Sequence, residues 1–226
     1  MKKVLVALSV MAAVSAASAQ VVTHSLVSAA NPTVPIVGAN AVDSQAFDLK
    51  VQVGAGNDWT STAISANILV GDKHWYKDAR GANTQPNPAF FAVFPSLQWD
   101  TFFTTPGGWP NTAGQGATPG FAQPPAPTIS RNLVEAIWFD TVNTGGGNWT
   151  IARLTLWSQN PRDRYEVGPL GATGLGALVA RVTGTTTHAV GGGTLVPFSL
   201  GIYQIPEPAT LSLLALGGLA SLIRRR

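Results

Sequence analysis

Apolar and polar side chains alternate along most of this chain. Across residues 45–53, Phe47, Leu49, Val51 and Val53 share one face, with Asp48, Lys50 and Gln52 on the other. A period of two over that length predicts a half-buried antiparallel strand. Residues 149–157 repeat the pattern, with Trp149, Ile151, Arg153, Thr155 and Trp157 opposed to Thr150, Ala152, Leu154 and Leu156. Further strands are predicted over 21–28, 64–70, 90–94, 97–103, 133–139, 175–182 and 194–204. Glycine, proline and asparagine separate these runs. Short strands broken by such residues predict an all-β fold, an antiparallel β-sandwich of jelly-roll-like kind. No fixed repeat period supports a β-helix.

One stretch breaks the alternation. Residues 104–128 hold six prolines and five glycines in 25 residues, which excludes both strand and helix. It is either a linker between two lobes or a long surface loop. The loop is favoured, because each lobe would be small and free of disulfides. Trp109 and Phe121 are placed to pin it to the body. The glycine runs 145–147 and 191–193 read as tight loops between strands. A faint echo pairs Asp58-Trp59-Thr60 with Asn148-Trp149-Thr150, and Trp99-Asp100-Thr101 with Trp138-Phe139-Asp140-Thr141. The order is not that of a duplication. We read it as an acid or amide accepting a turn amide beside a buried indole.

The two ends follow other rules. Lys2 and Lys3 precede an apolar run over 4–14, then Ala17-Ser18-Ala19. These are the parts of a secretory signal peptide, so residues 1–19 are expected to form a signal helix cut between Ala19 and Gln20. At the other end Pro206-Glu207-Pro208 precede an uncharged run over 209–223 and then Arg224-Arg225-Arg226. As helix that run measures about 22 Å, short against a bilayer core of about 30 Å. It spans if the arginine stems reach to the interface, and the arginines then mark the cytoplasmic side. The two prolines hold an extended segment just outside the membrane. This tripartite pattern resembles the PEP-CTERM sorting signal of exported bacterial proteins. The resemblance covers residues 206–226 and implies recognition and cutting by a membrane-embedded exosortase. It further implies export in a Gram-negative, exopolysaccharide-producing bacterium, a single transmembrane helix lodged transiently in the inner membrane, and release to the cell surface or matrix.

With both ends set aside, the charge picture changes. The whole chain is formally +3, but residues 20–205 carry nine basic and ten acidic side chains. The basic excess belongs to the targeting segments, and nothing argues for a nucleic-acid partner. Few charges and many small polar residues suit an extracellular β-domain. The absence of cysteine leaves no disulfide or thiol chemistry.

Candidate chemistry is thin. His24, His74 and His188 lie far apart. Asp72-Lys73-His74 with Asp78 lacks the usual spacing of a zinc or calcium site. Asp140, Asn143 and Asn148 around the glycines 145–147 could ligate calcium but read rather as a capped turn network, so no metal or other cofactor is expected. Glu135 and Glu166 are the glutamates of the body, and nothing pairs them with Asp100 or Asp140 as a glycosidase requires. If the face bearing Glu135 is buried, Arg153 or Arg181 would be its partner. No nucleophile elbow or phosphate loop is present. The seven tryptophans are the remaining material. Trp138 and Trp157 are expected in the core. Trp75 with Tyr76, set among Lys73, Lys77 and Arg80, and Trp109 in the long loop are the candidates for glycan contact. Two readings compete: a non-enzymatic structural or adhesive surface protein, which is favoured, and a carbohydrate-binding or carbohydrate-active domain acting on exopolysaccharide.

Overall fold

A computed structural model describes residues 22–29, 44–106, 120–121, 127–139, 145–160, 163–188 and 193–206. Among them no helix is long and apolar enough to cross a membrane. The apolar runs 4–14 and 209–223 lie outside the described residues, as do Ala17, Ala19, Gln20, Trp109, Glu207, Pro208 and Arg224, Arg225 and Arg226.

The described residues are mostly strand, paired antiparallel in two sheets. The first has the order β1 (Val22–Ser28), β2 (Ser44–Val53), β9 (Gly147–Ser158), β4 (Lys73–Trp75), with the short β5 (Phe102–Phe103) further along β9. The second has the order β10 (Tyr165–Pro169), β12 (Thr194–Gln204), β11 (Ala177–His188), β3 (Trp59–Ile68), β8 (Leu133–Phe139), β6 (Gly120–Phe121). The two-residue β7 (Thr128–Ile129) also pairs with β8. Both sheets turn their apolar faces into one shared core, in which Phe47, Leu49, Val51 and Val53 meet Trp59, Ile64, Val134, Trp138 and Val182.

Alternation sets β2 and β8 as expected: Val134, Ala136 and Trp138 point inward. The other face of β8, with Leu133, Glu135 and Ile137, is the outer one, so Glu135 needs no buried cation. Its carboxylate accepts from Ser65 Oγ (3.3 Å) instead. Arg153 sits on the opposite sheet, directly across from Asp48, and bonds it through Nε (2.8 Å) and Nη2 (3.2 Å).

Several expectations change. Gly120–Phe121, inside the stretch 104–128 read as excluding strand, pairs with β8, while β3 starts at Trp59 instead of residue 64 and β11 runs on to His188 instead of ending at 182. In β9 the register against β2 slips between Leu49 and Lys50, leaving Ile151 as an extra residue. That bulge carries Ile151 into the core with Ala152, Leu154 and Leu156, whereas strict alternation assigns it to the opposite face. Over 90–103 the chain does not form two strands. Pro88 and Pro95 open short 3₁₀ turns, Pro88–Phe90 and Pro95–Trp99, and Asn87 caps the first by accepting from the Ala89 amide (2.9 Å). Only Phe102–Phe103 pairs as strand. Proline geometry and a side-chain cap outweigh the β-propensity of the phenylalanines here.

The excursion between β4 and β5 is closed at its base by one buried ion pair. Lys77 Nζ donates to Asp100 Oδ2 (2.6 Å) and to the carbonyl of Thr101 (3.1 Å), and the Asp78 amide donates to Asp100 Oδ1 (2.9 Å). A Cβ on Gly81 would come within 1.9 Å of Asp100 Oδ2, so only glycine admits the carboxylate there. Asp100 accepts its turn amide beside Trp99, which is buried, and Asp58 accepts the Gly145 amide (3.0 Å) beside buried Trp59. Both agree with the echo read from the sequence. Gly145 itself has φ +70°, the left-handed conformation expected of that glycine run. From the proline-rich stretch, Phe121 packs edge-on against Phe103, with ring centres 6.0 Å apart.

Candidate functional site

The alternation of β4 builds one bank of a concavity. Lys73 and Trp75 point inward and His74 outward. The Trp75 indole crosses the core and donates to the carbonyl of Ala66 (3.1 Å). The His74 ring packs at a tilt against Trp157, its register partner in β9, with ring centres 4.3 Å apart and planes at 37°. The turn before β8 supplies the facing bank with Ile129, Ser130 and Arg131, fastened by the Trp75 amide donating to the Arg131 carbonyl (2.8 Å). With Tyr76 and Lys77 these residues enclose a groove of about 450 Å³ at the edge where the sheets part. Such a volume lies in the range of small-ligand sites.

Burial, reinforced by the nearby Arg131 charge, pushes the His74 imidazole below its ordinary value, so the ring is neutral near pH 7. Its Nδ1 has no hydrogen-bond partner among the described residues. The Tyr76 hydroxyl donates to Asp78 (3.2 Å), and burial together with that carboxylate raises its pKa. Lys77 is taken up by Asp100. Arg131 is exposed and is the accessible cation of the described lining. The groove thus offers a half-buried indole, a neutral imidazole and a guanidinium, suited to holding a polar ring.

Among the described residues the carboxylates do not assemble into an acid–base pair. Asp100 is fully buried behind Lys77, and burial raises it to about 6 against the opposing pull of Lys77. Asp78 is held below its usual range because hydrogen bonds from Ser96, the Arg80 amide and Tyr76 outweigh the effect of burial. Glu135 lies on the outer face of the other sheet, in a second, comparably open depression of about 400 Å³ lined by Ala63, Ser65, Ile137, Thr183 and Thr185. Asp140 lies outside the described residues. Asp163 accepts from Tyr165, Asn160, Gln204 and Ser158 and pairs with Lys73 (3.0 Å), both charged side chains being almost wholly enclosed.

Of the two candidate metal groupings, that of Asp72, His74 and Asp78 is not assembled among the described residues. Lys73 separates Asp72 from His74 and turns to Asp163, while Asp78 serves the excursion. Asn143 lies outside the described residues and Asn148 is exposed. No group of three metal-ligating side chains occurs among the described residues. His24 belongs elsewhere: its Nε2 meets Thr186 Oγ1 (2.8 Å), which meets Thr62 Oγ1 (2.8 Å), which accepts from Trp59 Nε1 (2.8 Å). This thread ties β1 to β11 and β3 through the interior.

Of the residues expected at a glycan surface, Tyr76 lines the groove and Trp75 does not present its indole. Trp75 is 2 % exposed, because it shares a face with Lys73 and that face is buried. Trp157, expected in the core, is half-buried and supplies the groove's indole instead. For Trp157 the signal is local, since it lies one residue from Leu156 in an alternating strand, whereas the three-residue β4 is too short to show a period for His74. The distant acid that lets Lys73 turn inward, Asp163, carries no such local signal.

Comparison with known proteins assigns the tail alone. Residues 204–226 match the family described as the PEP-CTERM protein-sorting motif. No curated protein and no solved structure matches the chain.

Proposed function

We propose that this protein is exported, held briefly in the inner membrane by residues 209–223, cut by an exosortase near Pro206-Glu207-Pro208, and delivered to the cell surface or matrix. The sorting motif marks an exported protein routed toward the surface for exosortase processing. The observation that carries the rest is a partition near one residue. The last described strand, β12, ends at Gln204, the first residue of the matched motif, which supports a boundary between body and sorting segment close to that residue. Removing the tail costs the fold none of its described strands.

Once there, the body works by binding and display, without catalysis. Asp48, Asp100 and Asp163 are each tied up by cations or amides that hold strands and loops together. The groove favours a second, narrower reading, that of a glycan-binding surface, because Trp157, His74, Tyr76 and Arg131 combine a stacking face with polar donors.

Replacing Pro206, Glu207 and Pro208 with alanine tests the first reading. The protein should then stay in the membrane fraction uncut; normal release would contradict it. A glycan array probed with the released protein tests the second. Binding lost in Trp157→Ala supports the groove, and binding unchanged by that substitution removes it.

A further inference from the structure

We propose that the uncut protein rests on the bilayer through one defined end of its sandwich, the rim that carries Leu69, Ile205, Arg131 and Arg164. This rests on the reading that residues 209–223 enter the membrane. The fold sets how far the body can stand off. Ile205 is still held, its amide donating to the Arg164 carbonyl (2.8 Å), and the Gln204 side chain is bonded to Asp163 (2.6 Å). From Ile205 to Ala209 the fully extended chain reaches about 14 Å at most. Pro206 and Pro208 stiffen that tether. The rim at Ile205 therefore lies within a headgroup layer's depth of the apolar run.

Hydrogen bonds place the other rim residues at the same end. Gln204 pairs with Ala177, the Leu69 amide donates to the Val179 carbonyl (2.9 Å), and the Ile68 amide donates to the Asn132 carbonyl (2.9 Å), next to Arg131. The rim's chemistry suits a lipid surface. Leu69 is 48 % exposed and Ile205 40 %, apolar side chains for which the core has no use. Arg131 and Arg164 are exposed beside them. Lys73 is shared by Asp72 (2.6 Å) and Asp163 (3.0 Å), and the partly buried Glu166 at the same end accepts from the Gly176 amide (3.0 Å), so the acids of the rim are each engaged by a cation or an amide. Apolar side chains flanked by guanidinium groups fit a layer where phosphates lie over acyl chains. The occupant is a phospholipid surface. At the far end of β12, Leu195 is also exposed, roughly 30 Å away along the strand.

The absence of cysteine makes the test direct. Leu69→Cys and Leu195→Cys, each in the uncut chain with residues 206–226 intact, are labelled with a fluorophore and placed in phospholipid vesicles carrying quencher at the headgroup. The label at position 69 should lose most of its fluorescence and the label at position 195 should keep it. Alkaline extraction of the same vesicles reports whether the tail is inserted. Equal quenching at both positions, or none at position 69, in vesicles that retain the chain overturns the proposal and leaves the tail reading intact. Release of the chain by extraction overturns the tail reading, and this proposal with it.

Discussion

Trp75 and Trp157 lie on the paired strands β4 and β9 one register position apart, so their indoles point to opposite faces and have opposite duties. Trp75 fills the core and donates to Ala66, so Trp75→Ala should cost about 3–5 kcal/mol in denaturant unfolding. Trp157→Ala removes a half-buried ring packed against His74 and should cost about 1 kcal/mol. Equal costs would contradict the assignment of one to the core and one to the groove. His24 governs a pH dependence. Burial holds it down to about 4 from 6.5. The unfolded imidazole therefore takes a proton before the folded one does, and stability falls as the pH drops from about 6.5 through about 4. Asp100 acts in the opposite sense. Its carboxyl, raised from 3.8 to about 6, contributes stability below 3.8 that is lost as the pH rises through about 6. Wild type compared with His24→Gln isolates the first effect: denaturation midpoints of wild type should fall more steeply between those pH values. Parallel curves would contradict it.

At the scale of elements, period-two alternation is enough to locate β2, β8, β9 and β12 almost to the residue. It fails where non-local partners decide. β4 escapes it because three residues carry no period, and because Lys73 and Lys77 read as a solvated surface. Both are turned inward, by Asp163 and Asp100. The short β10 is hidden by its glycine and proline. Residues 90–103 read as strand on their aromatic content, while Pro88, Pro95 and the Asn87 cap impose 3₁₀ turns. The excursion they form depends on the Lys77–Asp100 pair. Lys77→Met or Asp100→Leu alone leaves a buried charge unpaired and should cost about 3–5 kcal/mol, whereas the double variant should recover much of that loss. Limited proteolysis checks it, since each single variant should be nicked between residues 78 and 99 faster than the double variant. Equal protection in all of them would mean that the pair does not close the excursion.

At the scale of the whole molecule, address and body are legible to different depths. Pro206-Glu207-Pro208, the uncharged run and the arginines spell the sorting segment in contiguous residues, so the sequence suffices to read it. The groove joins residues 74–77, 129–131 and 157, which no local pattern links. It becomes visible only when the two sheets are brought together. The central claim is that the folded body ends at about Ile205 and that the segment 206–226 is a removable address. The intact mass of the protein recovered from the cell surface or medium tests this most directly. The expected product is a chain starting at Gln20 and ending before the apolar run, having lost Arg224, Arg225 and Arg226. A surface product that still carries residues 209–226 would contradict it.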